Sequence, residues 1–221
     1  MRIHISILTV VITTLIFSMP EWSISQRLPE IGFKIGVNGS KLTPENVTFI
    51  ESSNFTEFGN FEYKPGTVIG AFIRYSFKKY FTFQPEINYI FKGAKVQEIS
   101  GEFDNASLDL NFIEVPLLVG FSLSPDSPTS TVFFGGPVVS FLHKAEIFRD
   151  ITRDDITDVS ELFEKKDAGL LLGIGLKMNR LTVEFRYYDG FVGYDKTSQN
   201  KKTYNRVLII TANFVLKGGK L

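Results

Sequence analysis

The sequence contains no cysteine among its 221 residues. Without thiols it can form neither a disulfide framework nor a thiolate metal site. It also lacks an excess of charge of one sign, because 24 Lys and Arg residues balance 24 Asp and Glu residues. A nucleic-acid partner therefore has no electrostatic support, since such partners select proteins with a strongly basic surface. We predict no nucleic-acid binding.

Long apolar runs are confined to the N-terminal part of the sequence. Ten of the fifteen residues at 3–17 are apolar, and this segment follows the basic Arg2. Small residues, Ser23 and Ser25, then occupy the two positions that a signal peptidase reads. These features predict a signal peptide at residues 1–25.

The alternative for this run is an uncleaved membrane anchor helix, because its length is near the lower limit of about 17 residues for a spanning helix. Beyond residue 25 no apolar run approaches that length. If the rest of the chain enters a membrane, it must therefore do so with strands. We predict that residues 26–221 form a single β-barrel domain.

Residues 81–91 show the most informative pattern, reading Phe-Thr-Phe-Gln-Pro-Glu-Ile-Asn-Tyr-Ile-Phe. Apolar residues occupy every odd position, and four of the five positions between them are polar. Because strand side chains alternate between two faces, this segment has one apolar face with aromatic ends and one polar face. The pattern is typical of a membrane-spanning strand with lipid outside and a polar lumen inside.

The same kind of alternation recurs in eight segments. They are residues 31–40, 67–77, 81–92, 108–121, 131–143, 167–178, 181–189 and 203–216. In the fourth segment the apolar residues change face near Asn111 and Phe112, which indicates a β-bulge. We predict an all-β fold, an eight-stranded antiparallel up-and-down transmembrane barrel.

The connections between these segments alternate strictly in length. Three short ones, at 78–80, 122–130 and 179–180, alternate with four long ones, at 41–66, 93–107, 144–166 and 190–202. A meander that crosses a membrane has short turns on the periplasmic side and long loops outside. The even number of strands places both termini at the end of the short turns.

Seven charged residues fall on the predicted inward faces. They are Lys34, Arg74, Glu86, Glu114, Lys177, Glu184 and Arg186. The interior of a barrel of about eight strands is just wide enough for side chains to fill. We therefore predict ion pairs across the lumen among Arg74, Glu86, Glu114, Glu184 and Arg186, with Lys92 at the rim. We interpret this network as structural; a proton or solute path is the alternative.

Glycine is concentrated at the inward positions of the same segments. The inward glycines are Gly32, Gly36, Gly70, Gly120, Gly169, Gly173 and Gly175. Small residues beside large ones are typical of the filled interior of a narrow barrel. They give little support to a ligand cavity.

Few residues suggest catalysis or metal binding. His143 lies near Ser140 and Glu146, which raises the alternative of a membrane-lipid hydrolase. However, Ser140 and His143 are three residues apart and fall on opposite faces of a regular strand. The acidic segment 144–166 offers oxygen ligands for a cation such as calcium, but it lacks the EF-hand spacing. We predict no catalytic residue, no cofactor and no metal site.

Four segments carry a resemblance to a known family. They are Ile31-Gly-Phe-Lys-Ile-Gly-Val-Asn-Gly-Ser40, Phe83-Gln-Pro-Glu-Ile-Asn-Tyr89, Ile113-Glu-Val-Pro-Leu-Leu118 and Phe134-Gly-Gly-Pro137. In this order they resemble the outer-membrane β-barrel family that includes PorT-like proteins. The resemblance implies an eight-stranded barrel in the outer membrane of a Gram-negative bacterium, without assigned catalytic residues. PorT is associated with type IX secretion, so the resemblance also suggests a link with that apparatus.

We therefore expect a non-enzymatic outer-membrane protein that acts structurally or through its long loops. Its expected partners are outer-membrane lipid, the barrel-assembly machinery and a protein partner bound through the loops. Two alternatives remain open at this point. A soluble, lipocalin-like carrier of an apolar ligand requires the opposite orientation of the strand faces. A lipid-modifying enzyme would be centred on His143.

Overall fold

In a computed structural model, the described residues of the chain form one antiparallel sheet of ten strands. The structure describes residues 28–43, 47–51, 54–77, 79–98, 106–148, 156–158, 160, 164–192 and 204–218. The strands are β1 (Glu30–Thr43), β2 (Val47–Glu51), β3 (Asn54–Phe77), β4 (Phe81–Glu98), β5 (Ala106–Ser122), β6 (Thr129–Phe148), β7 (Ile156–Asp158), β8 (Lys166–Met178), β9 (Leu181–Gly190) and β10 (Tyr204–Lys217). The predicted signal peptide lies outside the described residues.

Eight of these strands close into a barrel. The ring order is β1, β3, β4, β5, β6, β8, β9 and β10, and β1 pairs with both β3 and β10 to complete it. The two remaining strands, β2 and β7, pair only with β3 and β6, outside the ring. Each of the eight predicted segments corresponds to one strand of the ring. The prediction of an eight-stranded antiparallel barrel is confirmed.

The strands extend further than the sequence pattern predicted. The predicted connection 41–66 contains β2 and the first part of β3. The predicted connection 93–107 is shorter in the structure, because β4 continues to Glu98. The apolar–polar alternation is weak in these parts, and Pro65 and Gly66 interrupt it. Backbone pairing nevertheless continues, because hairpin ladders do not require a side-chain pattern.

Short turns join the strands at one end of the barrel, called here the short-turn end. Asn179 and Arg180 form the tight turn between β8 and β9, and Asn179 has a φ of 54°. Asparagine tolerates this left-handed conformation, which two-residue hairpin turns require. Ile31 lies opposite Lys217, so the first and last strands begin and end here. The opposite end is called the long-loop end.

One register shift interrupts the pairing of β5 with β6. Asn111 lies opposite Lys144 and Phe112 lies opposite Leu142, so His143 is an extra residue in β6. The predicted irregularity at Asn111 and Phe112 is confirmed. The predicted change of face in the fourth segment is wrong, because Leu110 and Phe112 are both buried in the lumen. The same alternate positions of β5 face the lumen throughout. They carry the polar Glu114 near the middle of the lumen and the apolar Leu110 and Phe112 in its upper part.

The two faces of the barrel wall differ sharply in chemistry. Among inward residues, Glu86 is 4% exposed and Arg186 is 2% exposed, whereas the outward Ile87 is 57% exposed. Outward side chains from Phe81 to Phe91 form an apolar belt about 25 Å high, at roughly 3.3 Å per residue and a tilt of roughly 40°. This height matches the apolar band of outer-membrane barrels. The lipocalin-like alternative is wrong, because it requires charges outside and apolar residues inside.

Within the residues that the structure describes, no helix has the length and hydropathy needed to cross a bilayer.

Candidate functional site

The centre of the lumen holds an ion network around Arg186. Its guanidinium donates hydrogen bonds to both carboxylate oxygens of Glu86, each at 2.9 Å. Its Nε atom donates to Glu184 at 2.8 Å, and the Lys34 ammonium also contacts Glu86. Since β4 and β9 lie on opposite sides of the ring, the contact between Glu86 and Arg186 spans the lumen. Each of the four side chains is at most 3% exposed.

Two glycines of β8 leave space in the lumen for the long side chains of the network. Gly173 lies opposite Arg186 and Gly175 lies opposite Glu184 in the pairing of β8 with β9. Because neither glycine has a side chain, the long side chains of β9 can extend across the lumen. The predicted alternation of small and large inward residues thus corresponds to glycines of β8 that lie beside long side chains of β9.

A second group of polar residues lies toward the short-turn end. Arg74 Nη1 donates to Glu30 Oε2 at 2.9 Å, and Lys177 Nζ donates to Glu30 Oε1 at 3.0 Å. Arg74 Nε also donates to Gln84 Oε1 at 2.5 Å, and Gln84 Nε2 donates to Glu86 Oε1 at 2.6 Å. The group is therefore continuous with the central network.

The sequence analysis did not include Glu30 in the network. It lies one residue before the predicted first strand, on the same face as Gly32 and Lys34. Extending the alternation backward by a single residue would have found it. The polar character of Glu30 made it resemble a connection rather than a strand.

A third group lies nearer the long-loop end. Lys92 pairs with Glu114, and Ser140 Oγ donates to Glu114 Oε1 at 3.1 Å. The Lys92 ammonium lies 4.2 Å from the centre of the Tyr188 ring. The Tyr188 hydroxyl in turn donates to Asp167 Oδ2 at 2.7 Å. Asp167 and Ser140 were not assigned to the lumen by the sequence analysis, whereas Tyr188 falls on the polar face of the seventh predicted segment together with Glu184 and Arg186.

Two details of the predicted network are wrong. Glu114 pairs with Lys92 rather than with Arg74 or Arg186, and Lys92 is 2% exposed rather than at the rim. Glu114 lies opposite Asn88, one pleat above Glu86, because neighbouring strands are staggered in a tilted barrel. Lys92 is enclosed because β4 continues to Glu98.

The described lumen is balanced in charge. Its five bases are Lys34, Arg74, Lys92, Lys177 and Arg186, and its five acids are Glu30, Glu86, Glu114, Asp167 and Glu184. Charges in a confined and poorly hydrated space are stable only when they are paired and hydrogen-bonded. The balance therefore suits a permanently enclosed interior.

Apolar side chains close the lumen above the charged groups. They are Leu42, Ala94, Leu108, Leu110, Phe112, Ala145 and Val207, each at most 2% exposed. A cavity of about 60 Å³ lies at the short-turn end of the lumen. Arg74, Lys177 and Glu184 line this cavity. Its volume suits a few water molecules rather than an organic ligand.

We expect the substitution Gly173→Ala to destabilise the barrel by about 1–3 kcal/mol, the usual cost of overpacking. A Cβ atom at this position would lie 2.4 Å from the Phe134 ring and 2.8 Å from the Phe185 carbonyl oxygen. Urea unfolding from lipid vesicles measures the effect. The variant Phe134→Leu should recover part of the loss when combined with Gly173→Ala. Additive losses in the double variant would contradict this packing.

The residues proposed for hydrolysis lie on opposite sides of the wall. Ser140 is fully buried and donates to Glu114 in the lumen. His143 is exposed, and its ring lies 5.9 Å from the ring of Tyr89. Glu146 forms an ion pair with Lys144, and the Lys144 ammonium lies 2.7 Å from the Glu146 carboxylate. Ser140, His143 and Glu146 therefore do not form a nucleophile–base–acid arrangement.

The structure describes part of the acidic segment 144–166. Asp158 and Glu164 lie within the described residues, whereas Asp150, Asp154, Asp155 and Glu161 do not. Across the described part of the chain, no three His, Asp or Glu side chains come together in a way that could hold a metal ion. The prediction of no metal site remains a prediction for the rest of the segment.

A closed antiparallel barrel with an apolar exterior and an ion-paired interior defines the class of membrane-spanning β-barrels. Closure satisfies every strand edge within the wall, which hydrocarbon requires. The sequence model of the outer membrane protein beta-barrel domain family matches residues 21–193. The chain belongs to this family, and it is located in the outer membrane.

Several solved structures are similar to the chain at low identity. Neisserial surface protein A is 12% identical with a TM-score of 0.48, covering 84% of this chain and 97% of that one. OprG from Pseudomonas aeruginosa is 12% identical with a TM-score of 0.45, covering 83% and 96%. The enzyme PagL is 8% identical with a TM-score of 0.43, covering 83% and 99%. No curated protein sequence matches the chain.

Proposed function

We propose that this protein is a non-enzymatic outer-membrane barrel with a sealed lumen, which acts structurally or through the segments at its long-loop end. The observation that carries the proposal is the filling of the lumen. Arg186, Glu86 and Lys34 occupy its centre, and Leu110 and Phe112 close it above them. A barrel filled in this way supports the wall and leaves the exposed segments to make contacts.

A conductance measurement tests the sealed lumen. We expect the protein, refolded into a planar lipid bilayer, to give no current steps above the background of the bilayer. The reason is that ions would have to cross the apolar layer around Leu110 and Phe112, where they lose their hydration. Stable steps that disappear when Glu86 and Arg186 are both replaced by leucine would overturn the proposal and favour a solute path.

The contribution of the long-loop end is tested separately. In a strain that lacks the gene, a variant with a shortened connection at 193–203 should fail to restore any phenotype of the deletion. A variant with the lumen pair Lys92 and Glu114 replaced by Met and Gln should restore it, provided that both variants reach the membrane. The reverse result would place the function in the lumen.

The resemblance to PorT-like proteins supports no more than a prediction of a link with type IX secretion. The expected interaction with the barrel-assembly machinery also stays a prediction. A lipid-modifying activity receives no support from the described positions of Ser140 and His143, which face opposite sides of the wall.

A further inference from the structure

Three prolines lie in neighbouring strands near the middle of the barrel wall. They are Pro85 of β4, Pro116 of β5 and Pro137 of β6. Proline has no N–H, so it cannot donate a hydrogen bond to a neighbouring strand and is rare inside a central strand. Strands β1, β8, β9 and β10 contain no proline. The prolines therefore distinguish the β4–β6 side of the barrel from the opposite side.

Each proline interrupts the pairing across one seam, where a seam is the boundary between two neighbouring strands. The unpaired positions are 73–74 and 84–85 in the β3–β4 seam, 86–87 and 115–116 in the β4–β5 seam, and 117–118 and 136–137 in the β5–β6 seam. The register is the same on both sides of each interruption. One missing N–H accounts for each interruption, because two successive pairs of an antiparallel ladder depend on the same hydrogen bond.

The backbone carbonyl opposite each proline receives no hydrogen bond from it. These carbonyls belong to Ile73, Glu86 and Leu117. The outward side chains of Ile87 and Leu117 are 57% and 42% exposed in the apolar belt, so this row of carbonyls lies at the level of the hydrocarbon. An acceptor without a donor is costly there, because no water replaces the missing bond. The wall is therefore less stable along this row than along its uninterrupted seams.

The ion network supports two of the three interruptions. In the β3–β4 seam, Arg74 Nε donates to Gln84 Oε1 at 2.5 Å, directly across the unpaired positions. In the β4–β5 seam, Glu86 is held in place by Arg186 and Lys34. These contacts oppose a separation of the strands at both places.

The β5–β6 interruption has no comparable support. Its inward residues are Leu118, whose side chain is apolar, and Gly136, which has no side chain. Among the described residues, the hydrogen bonds between side chains of β5 and β6 lie above and below the interruption, from Ser140 to Glu114 and between Ser122 and Ser130. The β5–β6 seam is thus the one of the three that opens most easily.

The cavity at the short-turn end lies next to this interruption. Leu118 and Phe134 line the cavity, and Phe134 is two residues from Gly136 on β6. When Leu117 and Pro137 move apart, water from the cavity can donate a hydrogen bond to the Leu117 carbonyl. The carbonyl then has the partner that it lacks in the closed wall, which lowers the free energy of opening.

We propose that the barrel has a lateral opening in the β5–β6 seam, where the strands part locally at Leu117 and Pro137 and admit water from the cavity. The opening is in the side of the wall, and the apolar layer around Leu110 and Phe112 keeps the lumen axis closed. This goes beyond the sealed lumen, because it adds a movement of the wall itself. Current steps in the conductance measurement would overturn the seal without affecting this opening.

Hydrogen–deuterium exchange of single amides, followed by NMR on the folded protein in lipid nanodiscs, tests the proposal. The Leu117 amide is compared with those of Ile174 and Phe185, which lie opposite each other in the uninterrupted β8–β9 seam. The three side chains are similarly exposed, by 42%, 43% and 49%. We expect Leu117 to exchange about tenfold faster, as the loss of one hydrogen bond from the closed wall implies. Equal protection of the three amides would overturn the proposal.

The variant Pro137→Ala should slow the exchange of Leu117 about tenfold, because the alanine N–H can donate to the Leu117 carbonyl. Pro128→Ala is the matched control and should leave the exchange unchanged, since Pro128 is exposed and lies in the turn before β6. A band shift on unboiled gels verifies folding, and the comparison within the unsubstituted protein does not depend on either variant. Urea below the unfolding transition should accelerate the two reference amides more than Leu117, as a local opening requires. An unchanged rate in Pro137→Ala, or equal acceleration by urea, would also overturn the proposal.

Discussion

Replacing Arg186 with methionine is expected to destabilise the barrel by about 3–5 kcal/mol, the cost of leaving buried carboxylates without their partner. Among the described residues, Lys34 would be the one cation still paired with Glu86. Glu184 would keep only a distant cation, Arg74, whose Nη2 lies 4.0 Å from the Glu184 carboxylate. Urea unfolding from lipid vesicles measures the change, with the folded fraction read from unboiled gels.

Two matched variants separate charge from side-chain volume. Adding Glu184→Gln to Arg186→Met should recover most of the lost stability, because one buried charge without a partner is then removed. The exposed pair of Arg206 and Asp189 has a similar distance, 3.1 Å, with both side chains at least 40% exposed. Arg206→Met should therefore cost no more than about 1 kcal/mol. A cost at Arg206 equal to that at Arg186 would contradict the buried network.

Replacing Ile87 with arginine should destabilise the folded barrel in a bilayer by about 2–4 kcal/mol. Ile87 is 57% exposed and lies near the middle of the apolar belt, between Phe81 and Phe91. On the surface of a protein in water the same substitution would have almost no effect, because the arginine would be hydrated. The cost arises from moving a charge into hydrocarbon. Urea unfolding from vesicles is again the measurement.

Leu123→Arg is the control for this substitution. Leu123 is 53% exposed, similar to Ile87, but it lies in the turn between β5 and β6 at the short-turn end. Its arginine would reach the aqueous side, so we expect a change of less than about 1 kcal/mol. A cost that is the same at both positions would argue against a lipid-facing belt.

The sequence predicted the barrel wall well because apolar side chains of a membrane barrel face outward to lipid and alternate along each strand with polar side chains that face the lumen. At Phe83, Gln84, Pro85 and Glu86 each side chain has only two possible destinations, lipid or lumen. Gln84 and Glu86 are indeed buried, and Phe83 is exposed. Because long and short connections alternate along the chain, few strand orders other than an up-and-down meander were possible.

The partners of the lumen charges were harder to predict. The alternation assigned Glu114 to the interior, but its depth relative to Arg74 depends on the stagger between strands. No tight turn fixes the register of β4 with β5, because the predicted connection between them, 93–107, is long. The pairing of Glu114 with Lys92 followed only once the register of β4 with β5 was known.

The bulge illustrates a different limit. A change of pattern near Asn111 and Phe112 located the irregularity, but the extra residue is His143 on the neighbouring strand. Because the charged Glu114 faces the lumen, the apolar Leu108 and Leu110 on the same strand were expected to face lipid. They face the lumen instead, because its upper part is apolar. A pattern along one strand cannot distinguish a change of face from a change in the chemistry of the interior.

A spin-label scan of residues 81–91 tests most directly which face of the wall meets lipid. The chain has no cysteine, so single cysteines can be introduced without removing any. In vesicles, labels at the outward positions Phe83 and Ile87 should be accessible to dissolved oxygen and protected from a water-soluble nickel complex. Labels at Gln84 and Glu86 should be protected from both. Nickel accessibility at Phe83 and Ile87 would contradict the orientation on which the assignment to the membrane depends.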